Sequence, residues 1–188
     1  MIDSVLPPRE RIMQAASYLF YTEGIRATGI DRLISEAGVT KVTFYRQFSG
    51  KDALILAFLQ QRHARWMSWF KDALQRHGGN LSALVPALAE WFRGNAEGLN
   101  VFRGCAFINS LAELGNTLAG VKEISRQHKQ EMTAVIARLL VVSPQQTQQA
   151  AAIALAVDGC IVRAQYEDDP QVALQALEVF LQHYKGNE

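Results

Sequence analysis

Several things are scarce in this 188-residue chain, and each scarcity excludes something. There are only two cysteines, Cys105 and Cys160, too few for a disulfide framework in a chain of this size. No long apolar run exists. The most apolar stretch, Ala150 to Val157, is far short of the roughly 20 residues a membrane helix needs, and Asp158 follows it at once. The N-terminus has Asp3 and Pro7-Pro8 and no basic stretch ahead of an apolar one, so it does not read as a secretory signal. These features predict a soluble, cytoplasmic protein with no membrane partner.

Catalytic signatures are missing too. There is no Gly-x-Ser-x-Gly, no His-Glu-x-x-His, no phosphate-cradling glycine loop and no cluster of metal ligands, and the four histidines are scattered. The chain therefore reads as a non-enzyme with neither metal nor cofactor. Charge of one sign is also lacking, since the formal net charge is +1. Its distribution is more informative. Residues 1–51 hold seven Lys/Arg against five Asp/Glu, and Thr40 to Lys51 contain three bases (Lys41, Arg46, Lys51) and no acid. A small basic face on a balanced protein suits an anionic partner.

What is present is helical periodicity. Nothing alternates as a strand would. Pro7-Pro8 open a first helix whose Ile12, Ala15, Ala16, Leu19 and Phe20 share one face, and Gly24 stops it. Thr28-Gly29-Ile30-Asp31 reads as a capping box for a second helix ending at Gly38. A short third helix follows from Thr40 to about Phe48. Ser49-Gly50-Lys51-Asp52 opens a long fourth one that ends at Gly78-Gly79, and Asn80 is placed to cap a fifth. Arg103 to Leu114 and Leu118 to Val142 read as two more. Ser143-Pro144-Gln145-Gln146 starts an eighth and Asp169-Pro170 a ninth. The expected fold is all-α with about nine helices: a small N-terminal domain over residues 1–52 and a larger helical domain over 53–188.

Two short helices joined by a tight turn at Ala37-Gly38-Val39 make a helix-turn-helix, with Gly38 free to take φ > 0. Phe44 and Phe48 would anchor the second helix. Thr40, Lys41, Val42, Thr43, Tyr45 and Arg46 are left for the outer face, where hydroxyls, bases and a valine suit phosphates, base edges and thymine methyls.

This stretch resembles the signature of the TetR family of bacterial regulators. The matching residues run from Ala15, Ala16, Leu19 and Phe20 through Gly24 and Thr28 to Ala37-Gly38-Val39-Thr40-Lys41, Thr43, Tyr45, Phe48 and Lys51. Ile34 and Val42 depart from it, standing where the family often has alanine and glycine. The resemblance implies that Thr28, Tyr45 and Lys51 meet phosphates, while Thr40, Lys41, Val42, Thr43 and Arg46 face the major groove. It implies a homodimer on a palindromic double-stranded DNA operator, a small-molecule effector and a repressor's output.

The later helices carry the rest. Small residues (Ala150, Ala151, Ala152, Ala154, Ala156, Gly159) and the apolar face of the ninth helix (Ala173, Leu174, Leu177, Phe180, Leu181, Tyr184) suit an intermolecular four-helix bundle, where the resemblance also puts the dimer interface. Trp66, Trp69, Phe70, Trp91, Phe92, Phe102 and Phe107 could line an effector cavity, with His63, Asn109, Glu113, His128 and Tyr166 as orienting polar groups, or form ordinary core. Asp158 reads either as an interface residue or as an exposed one. Cys105, at the expected start of a helix and near Arg103, suggests an alternative thiol-switched regulator. A DNA-binding protein with no effector at all is a further reading.

Overall fold

The computed structural model describes residues 5–94 and 102–185, and among these there are nine α-helices and no strand. The helices are α1 (Pro8–Thr22), α2 (Ile30–Ala37), α3 (Lys41–Gln47), α4 (Lys51–Arg76), α5 (Leu84–Phe92), α6 (Ala106–Leu114), α7 (Ala119–Ala137), α8 (Gln146–Arg163) and α9 (Gln171–Lys185), with a 3-10 turn at Leu81–Ala83 ahead of α5.

The chain divides into two compact units. The first runs to His63 and takes in Ala106–Ser125; the second holds Ala64–Cys105 and the chain from Arg126 on. The boundary expected at residue 52 thus falls inside the first unit, which keeps the opening half of α4, all of α6 and the start of α7. The reason lies in apolar spacing. Leu54, Ile55 and Phe58 of α4 are buried with Ile12, Ala16, Leu19 and Phe20 of α1, and the Phe20 and Phe58 rings meet edge to face at 5.5 Å. Further along the same pair of helices, the Arg62 guanidinium lies 3.7 Å from the Tyr21 ring centroid. Gly120 of α7 lets that helix come close to Leu56, whose nearest methyl would stand 2.8 Å from an added Cβ.

In the second unit, α8 and α9 pack against each other and α5 packs on α9. Leu84, Leu88, Ile136, Val157, Ile161, Leu174 and Leu181 form its buried apolar set.

Several helix starts differ from the sequence-based expectation. Thr28 does not cap α2: Gly29 occupies the N-cap position without a side-chain bond, and Thr28 instead donates its hydroxyl to the Gly24 carbonyl at 2.7 Å. Asn80 makes no capping bond, and α8 begins at Gln146 after Gln145, so Ser143 and Pro144 lie outside it. The helix expected from Arg103 begins at Ala106, because Gly104 sits at φ 76°, outside helical space. The seventh ends at Ala137 rather than Val142. Its last turns tighten into i to i−3 bonds at Arg138, Leu139 and Leu140, and Gln146 donates its side-chain amide to the Ala137 carbonyl at 2.9 Å. Asp169 does act at the start of α9, accepting from Gln171 N–H at 2.9 Å.

Candidate nucleic-acid interface

The candidate interface is α3 and what holds it. Seven residues are too few for a helix to persist in water by its own propensity. Its conformation must come from its ends and its buried side. At the N-terminus, the Thr40 hydroxyl accepts from Thr43 N–H at 3.1 Å, and the two threonine hydroxyls lie 2.9 Å apart. Ahead of it, α2 closes in a Schellman arrangement. Gly38 takes φ 59°, its N–H reaches the Ser35 carbonyl, and Val39 N–H reaches the Ile34 carbonyl at 3.2 Å. On the inner side Phe44 and Phe48 are buried, with ring centroids 6.4 Å apart.

Two arginines that the sequence reading passed over complete the frame. Arg9 donates to the Gln47 carbonyl at 3.0 Å and lies over the Phe48 ring at 4.4 Å; Arg11 donates to the Gly38 carbonyl at 2.9 Å. Only the general habit of arginine to seek carbonyls near helix C-termini could have suggested them.

The outer face is then Lys41, Val42, Tyr45 and Arg46, all exposed, with Thr40 exposed at the cap and Thr43 half-buried. Val42 is 70% exposed and Tyr45 45%. The Tyr45 ring stands edge-on to Phe44 at 5.4 Å. Of the eight expected DNA residues, the structure brings these six onto one short helix and its cap.

The other two differ. Thr28 is fully buried and donates its hydroxyl to the Gly24 carbonyl, so its side chain holds a turn. Lys51 opens α4 as expected, but its ammonium donates to the Ile25 carbonyl at 2.6 Å. Burial lowers its pKa, while Glu113 and Asp52 pull it back up.

The loop between α1 and α2 is held from α6 as well. Glu113 accepts from Ile25 N–H at 3.2 Å and from Arg26 N–H at 2.7 Å, and Arg26 Nε donates to the Glu113 carbonyl at 2.7 Å. Glu113 thus ties the loop between α1 and α2 to α6 within the first unit. Phe107, fully buried and edge-on to His63, belongs to that unit, and so does Asn109.

The tryptophans lie in the second unit. Trp66 stacks on Phe70 at 4.6 Å and meets Trp91 at 5.6 Å and buried His128 at 4.9 Å, while Trp69 lies 6.3 Å from Trp91 and donates to Glu90. Phe102 closes on Trp91 at 5.3 Å and on Phe92 at 4.7 Å. Among the described residues, the buried indole N–H of Trp66 finds no hydrogen-bond partner. Tyr166, by contrast, lies beyond the end of α8 and is 70% exposed, so it is no part of this cluster.

A depression of about 340 Å³ lies between α8 and α9 instead, lined by Gly159, Cys160, Ala176 and Phe180 among others. Beside it the exposed apolar side chains of Leu155, Val162, Val172 and Val179 mark the same two helices. Asp158 pairs with Lys129, which answers where it points.

Cys105 precedes α6 and is only 3% exposed. Burial raises the Cys160 pKa to about 12, which keeps that thiol protonated at neutral pH. Among the described residues no group of His, Cys, Asp and Glu is arranged to hold a metal, and no helix is long and apolar enough to cross a membrane.

Comparison with known proteins agrees with this geometry. Residues 12–58, from α1 into α4, match the family described as bacterial regulatory proteins, tetR family. A solved TetR-family transcriptional regulator from Streptomyces coelicolor is 31% identical, with a TM-score of 0.79 over 94% of this chain and 95% of that one. A TetR-family regulator from Cytophaga hutchinsonii has a TM-score of 0.81 over 96% of both chains at 15% identity, a likeness of fold. The HTH-type transcriptional activator FasR of Mycolicibacterium smegmatis is 34% identical over 84 residues, which is 45% of this chain and 38% of that protein. The matches to curated relatives span between 17% and 54% of those proteins' lengths.

Proposed function

The chain belongs to the TetR family of DNA-binding transcription regulators, and on that footing we propose that it is an effector-responsive repressor binding a palindromic operator as a homodimer. The observation that carries the reading is α3 itself. A seven-residue helix is capped, anchored on two phenylalanines and turned outward with Lys41, Val42, Tyr45 and Arg46. Val42 and the Thr43 methyl suit thymine methyls; Lys41 and Arg46 suit base edges or phosphates; the Tyr45 hydroxyl suits the backbone. Lys51 has two ammonium donors beyond its bond to Ile25, enough for one phosphate at the N-terminus of the long α4.

Dimerisation through α8 and α9 is supported by their exposed apolar side chains, Leu155 at 76% above all, and by the small residues between them. Two heads about 34 Å apart would then read successive major grooves. The effector reading is supported by the unmatched Trp66 indole N–H within an aromatic cluster, a donor suited to an acceptor atom on an otherwise apolar molecule. Such a ligand releases the operator only if it binds better to a state with the heads wrongly spaced.

The test is selection from a random duplex library, followed by binding of the enriched site across a salt series with wild type and Lys41→Ala. A palindromic winner, with the log–log salt slope reduced by about 2 per dimer, supports a phosphate contact from Lys41; loss of sequence preference at one base pair per half-site with the slope intact makes it a base reader. No enrichment by the wild type refutes the operator reading. With the operator in hand, its release by a compound that quenches the tryptophans tests the effector, and transcription from a promoter carrying the operator, with and without the protein, tests the repressor's sign.

A further inference from the structure

We infer that Arg9 and Arg11 are positioning residues for DNA reading: they fix α3 from behind at both ends and do not themselves touch phosphate. The inference rests on the proposal that α3 enters the major groove.

Helix geometry places residues two apart about 200° from each other around the axis, so Arg9 and Arg11 leave α1 on opposite sides. Each ends on a backbone carbonyl at a different end of the recognition segment. Arg9 takes the Gln47 carbonyl, one of those left without an intrahelical partner at the C-terminus of α3, where a cation is also favoured by the helix dipole. Its guanidinium carbon sits 4.4 Å from the Phe48 ring centroid, so the planar group stacks while it donates. Arg11 takes the carbonyl of Gly38, the left-handed residue that turns the chain toward α3.

The fit is close: a Cβ added at Gly38 would lie 3.5 Å from Arg11 Nη1. Among the described residues, Arg11 Nε is buried without a hydrogen-bond partner, so Arg11 holds the turn through its Nη1 bond alone. A seven-residue helix held at both ends by charge-assisted bonds can keep its side chains in register with the bases. Lysine cannot replace Arg9, because a point charge does not stack and donate in one plane.

The alternative occupation for two arginines on a DNA-binding head is the phosphate backbone, and salt dependence separates the two roles. The experiment measures wild type, Arg9→Gln, Arg11→Gln and Arg9→Lys on the selected operator and on a random duplex between 50 and 200 mM salt. Hydrogen exchange of the α3 amides is followed in parallel on the free protein. Positioning predicts that each Gln variant loses about 10- to 100-fold on the operator and less than about 2-fold on the random duplex. The salt slope stays within about half a unit of wild type. Protection of the α3 amides falls, and Arg9→Lys fails to restore operator affinity.

The inference is overturned if operator and random-duplex affinities fall in parallel with a slope reduced by about 2 per dimer, or if Arg9→Lys binds as wild type. It is also overturned if the Gln variants keep full operator affinity. A wild type that selects no site is a different failure, that of the operator reading.

Discussion

Glu113 offers a prediction whose size can be worked out from its contacts. It lies in the last turn of α6, where a carboxylate opposes the helix dipole, so its presence there needs compensation. That compensation is two backbone N–H groups, Ile25 at 3.2 Å and Arg26 at 2.7 Å. A hydrogen bond to a charged group contributes about 1.5–3 kcal/mol, less where water competes as it does at Arg26. Ile25 is buried, so Glu113→Ala leaves its N–H without an acceptor, a desolvation cost of about 1–3 kcal/mol that overlaps the first figure. The expected loss is about 3 kcal/mol, or a fall in Tm of about 6–12 °C for a chain of this length. Glu113→Gln keeps one acceptor oxygen and should lose about half as much. Urea unfolding at fixed protomer concentration measures the loss, and hydrogen exchange at Ile25 and Arg26 locates it. A Glu113→Ala protein within about 0.5 kcal/mol of wild type, with both amides still protected, would refute the assignment of Glu113 to the scaffold.

Gly104→Ala should cost about 1–3 kcal/mol: φ 76° is left-handed, and the new Cβ would lie 2.0 Å from Gln165 Cδ, which must give up its bond to the Arg103 carbonyl. Adding Gln165→Ala should recover the clash and leave the backbone strain, and a double-mutant cycle on urea midpoints shows whether it does. Because Cys160 titrates near 12 when folded and near 9 when unfolded, the unfolded state alone is deprotonated between these values; stability should therefore be intact below pH 9 and fall by up to about 1.4 kcal/mol per unit above it, a slope that Cys160→Ala removes. Leu155→Glu should convert the protein to a monomer in sedimentation and weaken operator binding without lowering helix content; a dimer that survives unchanged moves the interface away from α8.

Local signals were legible where one residue's chemistry decided the outcome. Proline at the start of α1, glycine at the end of α2, the Thr40 cap and the Phe44 and Phe48 anchors are each a property of side chain and spacing, and the structure has them as read. Capping boxes were less reliable. Thr28, with the right spacing to Asp31, found the Gly24 carbonyl four residues back a better partner than the helix ahead of it. How the candidate effector residues divide between the two units was illegible for a related reason. Helical spacing identifies which residues are apolar, and it does not say which unit they join; Glu113 answers to backbone groups some 88 residues away, and Tyr166 to none of the aromatic rings.

The same distinction separates residues within the recognition motif. Matching positions to a family motif assigns one role, DNA contact, to residues that this head uses in two ways. Lys41, Val42, Tyr45 and Arg46 are exposed, and among the described residues none of their side chains makes a hydrogen bond or ion pair. Thr28 and Lys51 each bond a carbonyl of the loop between α1 and α2, as Glu113 bonds its amides. Arg9 and Arg11 bond carbonyls on either side of α3. On the proposed reading of α3, a substitution in the first set changes what is read, so its effect depends on operator sequence. One in the second loosens the reader, so its effect appears in amide exchange before any DNA is added. Lys51 belongs to both sets if its remaining donors meet a phosphate. Lys51→Met then separates the two contributions: lost protection at loop amides reports the bond to Ile25, and a shallower salt slope reports the phosphate.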